Sequence, residues 1–100
     1  MTIHALGVVT VAHGGTAVAV TSSDLPSRAI SIQALAGNTG NIYVGTSALV
    51  GSTKVGCYFI LGAGETFQST SFGLNAIDPR EVYIDADEDG EGAVVGLIRE

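Results

Sequence analysis

The chain has 100 residues, of which 4 are basic and 10 acidic, beside 46% hydrophobic side chains and 14 glycines. Soluble domains carry about a quarter of their residues as charge, so this chain is charge-poor, and its hydrophobicity excludes disorder. The net charge of −6 excludes ordinary phosphate-backbone binding, and a single cysteine excludes an intrachain disulfide or a multi-cysteine zinc site.

One domain over residues 1–100 is expected. Early apolar residues are interrupted by His4, His13 and Gly14-Gly15 without a basic start, so a secretory signal is not expected. No apolar run approaches the roughly 18 residues of a membrane helix.

Gly and Pro recur so often that no stretch free of both exceeds ten residues. Globular helices average about 11–12 residues, and 11 Val, 8 Ile and 9 Thr favour strands. Residues 8–12 and 16–21 read as strands joined in a hairpin by His13-Gly14-Gly15. After Asp24-Leu25-Pro26, Ile30, Ile32 and Ala34 alternate with Ser31, Gln33 and Leu35. Residues 41–45 place Ile42 and Val44 on one face and Tyr43 on the other. Residues 56–61 are apolar throughout, the pattern of a strand covered on both faces. Gly62-Ala63-Gly64 leads into a strand over 65–69, and residues 73–80 read as loop because Pro79 restricts its predecessor. Strands over 82–86 and 93–98 close the chain as a hairpin across an acidic turn at 87–92. The expected fold is all-β: a single-domain antiparallel β-sandwich or small jelly-roll-like barrel of seven or eight short strands.

The sharpest local motif is Asp85-Ala86-Asp87-Glu88-Asp89-Gly90. Carboxylates at positions 1, 3 and 5 before a glycine open a calcium loop of the EF-hand type, which makes Asp85, Asp87 and Asp89 calcium candidates. The twelfth position, however, is Gly96 rather than Glu, and strands replace the flanking helices. The competing reading is a solvated hairpin turn, and no metal or other cofactor is expected.

His4 and His13 lack a carboxylate or thiol partner nearby in sequence. Cys57, within an apolar strand, reads as a small buried hydrophobe. Gly62-Ala63-Gly64-Glu65-Thr66 has neither the lysine nor the helix of a phosphate loop. No nucleophile–base pair is visible, so an enzyme is not expected. Arg28 and Arg80 flank proline turns and Arg99 ends the last strand; each is a candidate ion-pair anchor to a partner, or else a solvated or intrachain charge.

The segments Asn38-Thr39-Gly40-Asn41-Ile42-Tyr43-Val44-Gly45, Gly62-Ala63-Gly64-Glu65 and Val82-Tyr83-Ile84-Asp85-Ala86, with the upstream strand 28–34, resemble small virion structural proteins of tailed bacteriophages. The resemblance runs over roughly residues 5–98. It implies a β-sandwich that assembles with copies of itself and attaches to the particle. The leading expectation is a capsid decoration (cement) protein. It would form a homotrimer on the capsid exterior, bridge major capsid protein subunits, and be made in the bacterial cytoplasm. A tail, neck or head-fibre component, including a host-glycan-binding adhesive domain, is the alternative; neither nucleic acid nor membrane is an expected partner. Residues 1–54 hold three charged residues, Asp24, Arg28 and Lys54, whereas seven of the ten acids fall within 78–91. That asymmetry predicts a neutral portion given to assembly and an acidic end facing solvent.

Overall fold

A computed structural model describes residues 2–23, 25–70 and 77–99. Eight strands follow in chain order: β1 (Thr2–Thr10), β2 (Val18–Ala19), β3 (Ala29–Ala34), β4 (Ile42–Val50), β5 (Val55–Leu61), β6 (Thr66–Thr70), β7 (Tyr83–Ala86) and β8 (Gly92–Arg99). A 3-10 turn, Pro79–Glu81, precedes β7, capped by the Asp78 carboxylate, which accepts the Arg80 N–H. Among the described residues no helix is long and apolar enough to cross a membrane.

The strands form two four-stranded sheets, ordered β1-β8-β3-β6 and β2-β7-β4-β5. Every pairing is antiparallel. Only β4 and β5 are sequence neighbours within one sheet; each other connection carries the chain across to the opposite sheet. Eight strands alternating between two sheets in this order constitute a jelly-roll sandwich.

Period-two alternation decides which side chains enter the core. On β3, Ile30, Ile32 and Ala34 point inward and are buried, and they pair with inward Leu97, Val95 and Ala93 of β8. In the second sheet Ile42 and Val44 lie opposite Ala86 and Ile84, all at most 3% exposed. Val11, Leu61 and Val82 complete the same cluster, with Leu6, Val9 and Phe67 packed against it.

Several expectations are corrected. The strand expected over 8–12 runs from Thr2 to Thr10, and that expected over 16–21 shrinks to Val18–Ala19. These two do not form a hairpin, since β1 pairs with β8 and β2 with β7. Nor do β7 and β8 form one, because they lie in opposite sheets. The physical reason is a competing set of partners. Val11 N–H donates to Glu91 O at 2.9 Å and Gly90 N–H to Val11 O at 2.8 Å, so the two inter-sheet connections bond to each other. The segment 73–76 of the expected loop lies outside the described residues.

The apolar run of β5 is not covered on both faces. It is the edge strand of the second sheet, and Tyr58, Phe59 and Ile60 are 50%, 43% and 42% exposed. A uniformly apolar run satisfies a central and an edge position equally, so periodicity cannot choose between them.

Candidate functional site

Acidic residues recur at every second position from Asp85 to Glu91, and the structure turns that spacing into an arch of carboxylates that holds three loop segments. Asp85 ends up fully buried on the outer side of β7. Its Oδ1 accepts the N–H groups of Gly15 at 2.9 Å and Ala86 at 2.8 Å, and its Oδ2 accepts Gly51 N–H at 2.9 Å. Asp87 Oδ2 accepts Asn41 N–H at 2.9 Å while Oδ1 accepts the Tyr43 hydroxyl at 2.7 Å. Asp89 Oδ1 accepts Gly14 N–H at 2.7 Å. Glu91 accepts Gly40 N–H on Oε1 at 2.9 Å, and both Thr39 N–H and its hydroxyl on Oε2.

Carboxylates that accept several N–H groups are stabilised in the charged form. Asp87 is accordingly held below the usual carboxylate range, first by the Asn41 N–H and then by the Tyr43 hydroxyl. Glu91 is lowered by the Thr39 and Gly40 N–H groups. Tyr43 moves the opposite way: its bond to Asp87, with burial, raises the phenol above its ordinary value. The Lys54 ammonium lies 5.1 Å from the Tyr43 ring centroid, within cation–π range, and adds to the lowering of Asp87.

Asp85, Asp87 and Asp89 thus do not share a calcium loop. Their oxygens go to backbone N–H groups of different segments, and no cluster of three His, Cys, Asp or Glu placed for a metal occurs among the described residues. Residues 87–90 are exposed, as a solvated turn requires, but they join two sheets rather than a hairpin, and Asp85, within β7, is 0% exposed. The recipient residues, Gly14, Gly15, Thr39, Gly40, Asn41 and Gly51, were not legible as partners. The alternate-position spacing of the acids was the available signal.

Asp85, Tyr43 and Gly51 pack together on the outer face of the second sheet, while Asp87, Asp89 and Glu91 lie in the connection that crosses from β7 to β8. Gly51, in the turn between β4 and β5, packs so closely on Tyr43 and Asp85 that a Cβ there would stand 2.6 Å from the tyrosine ring. The outer face of the first sheet has no such cover among the described residues. Its outward rows are Val8–Val94–Gln33, Ala5–Gly96–Ser31–Gln68 and Ile3–Ile98–Ala29. None of these side chains is charged. Arg99 is the one Lys, Arg, Asp or Glu in the four strands, and its Nε donates to Pro26 O at 3.3 Å. Ile3, Val8 and Val94 are 75%, 57% and 43% exposed. A second uncharged surface is the β5 edge, where Tyr58 and Phe59 pack against Phe67 with ring centroids 5.6 and 4.9 Å apart.

Of the three arginines expected at an interface, Arg28 and Arg99 flank the Ala29–Ile98 pair at one end of the first sheet. Arg80 makes a two-pronged ion pair with Asp78, at 3.1 and 3.0 Å, which also lowers the Asp78 carboxyl. Arg28 is exposed just before β3, its backbone N–H bonded to Ile98 O. His4 and His13 lie towards opposite ends of β1, the latter beyond the strand in a turn closed by Thr16 N–H on His13 O. Cys57 is half-buried rather than buried, its thiol 3.3 Å from Phe59 O on the sheet edge.

Fold and surfaces define a jelly-roll sandwich in which four of the ten acids clamp loops while the outer face of the first sheet is left neutral. Compared with protein-family models, curated proteins and solved structures, the chain matches none.

Proposed function

We propose that this chain is a non-enzymatic virion structural protein of the tailed-bacteriophage kind, a capsid decoration protein that self-associates and attaches to the assembled shell. The observation that carries the reading is the segregation of charge: one sheet exposes an uncharged, partly apolar face, and the polar groups clustered in the arch are engaged in holding loops. Monomeric proteins seldom leave extended apolar patches to water, and such surfaces mark contacts with other protein. The jelly roll supports the reading by analogy, being a common architecture of viral shell proteins.

The mechanism is thermodynamic. A protein that binds the closed shell but not its separated subunits stabilises the shell by mass action, and repeated weak contacts on one particle add through avidity. The decisive experiment is to add purified protein to particles that lack it and image them. Density distributed over the whole shell is the expected result; density confined to one vertex, or none, overturns decoration. A tail or fibre domain that binds host glycans is favoured by one observation, the half-exposed Tyr58 beside Phe59 on β5, since sugar sites use exposed aromatics. Its polar complement there is limited to Lys54 among the residues lining that open groove.

A further inference from the structure

We propose that the outer face of the first sheet is the self-association surface, and that its occupant is the same face of a second copy related by a two-fold axis. This assignment rests on the self-associating role proposed above and locates it on the molecule.

Three observations select a second copy. The first is shape. Ile3 stands 75% exposed at one side of the face, where it forms part of the wall of an apolar hollow of about 290 Å³. Ala29, Ser31, Gln68, Gly96 and Ile98 also line that hollow. A protrusion and a recess side by side on one surface are complementary under a two-fold rotation, which seats each Ile3 in the other copy's hollow.

The second is charge. Each chain carries −6, so two copies repel wherever their acids approach. Face-to-face pairing through the first sheet leaves the Asp85 and Asp87 clamps on the outer sides of the pair. The molecule's shortest extent is 20 Å, so those clamps are separated by well over the Debye length of about 8 Å at physiological salt.

The third is area. Four strands spaced about 4.8 Å apart, of 9, 8, 6 and 5 residues, give about 450 Å² per copy in projection. The pair therefore buries about 900 Å², the size of a weak, reversible dimer rather than an obligate one.

Gly96 provides the critical test. A Cβ added there meets nothing within 4 Å of its own chain, so a side chain at this position has room for its first carbon, and Gly96→Val projects two more into the hollow. The full-length chain, Gly96→Val, Ile3→Glu and the edge-strand control Tyr58→Glu are compared by sedimentation equilibrium from 1 to 200 µM, with circular dichroism melting to check the fold. The expected result is a dimer for the parent and Tyr58→Glu, and self-association weakened at least tenfold, towards monomer, in Gly96→Val and Ile3→Glu. If Ile3→Glu fails to fold, Gly96→Val alone carries the test. A parent monomeric to 200 µM, a trimer indifferent to Gly96→Val, or a dimer broken by Tyr58→Glu alone overturns the assignment. The particle-attachment assay reads the virion role separately, so a lost interface and a lost function give different results.

Discussion

Asp85 offers the most exacting prediction, because it is fully buried and its oxygens are bonded to backbone N–H groups. Its two oxygens accept from Gly15, Ala86 and Gly51, and the Gly51 bond is fully buried. Asp85→Ala removes the acceptor but leaves the donors. An unpartnered buried N–H costs about 1–3 kcal/mol, and bonds to a charged group contribute about 1.5–3 kcal/mol each. With Gly51 fully penalised and Gly15 partly rescued by water, a loss of about 3–5 kcal/mol is expected, a large fraction of the ~5–15 kcal/mol typical of a domain.

Asp85→Asn sharpens the test, since it preserves shape. Whichever way the amide is oriented, its NH2 faces a backbone N–H: Gly51 in one orientation, Gly15 and Ala86 in the other. A loss of about 2 kcal/mol is therefore expected even for this isosteric change. Urea unfolding at one fixed protein concentration measures both variants. Hydrogen exchange at the Gly15 and Gly51 amides should accelerate beyond the global change. An Asp85→Asn midpoint within about 0.5 kcal/mol of the parent, the range of ordinary surface substitutions, refutes the account of Asp85 as the acceptor that locks these loops.

The carboxyls of Asp87 and Glu91 are lowered in the folded chain, so the stability they contribute is complete above their unfolded values, near 4, and is lost as pH falls through the folded values. Melting temperature should therefore drop from pH 5 downward, and Asp87→Asn with Glu91→Gln should flatten that slope; an unchanged slope counts against the arch. The raised Tyr43 phenol acts in the alkaline range, its stabilisation intact below about pH 10 and lost as pH rises through the folded value, and Tyr43→Phe should remove that dependence from an alkaline melting series. Gly45→Ala puts a Cβ into the Gly56 carbonyl of the paired strand, which cannot swing aside as a side chain would. A loss of about 3 kcal/mol is expected by denaturant titration.

Local chemistry determined much of this protein. The period-two alternation at Ile30, Ile32 and Ala34, and at Ile42 and Val44, specifies inward faces whatever sheet the strand joins, because successive side chains on an extended backbone point to opposite sides. Frequent glycines and β-branched residues likewise allow strands and exclude long helices. Which strands pair was not legible, since pairing is a long-range competition. The Gly14-Gly15 turn has hairpin chemistry, yet its N–H groups are taken by Asp89 and Asp85, some 70 residues away, and its flanking strands part into separate sheets. The burial of Asp85 and the loop contacts of the arch were hidden for the same reason: their donors come from loops scattered along the chain. Only the tertiary structure placed β5 at an edge and gathered the uncharged side chains of four separate strands on one outer face. The shortage of charge was evident in the composition; its location follows from the order of strands in the sheet.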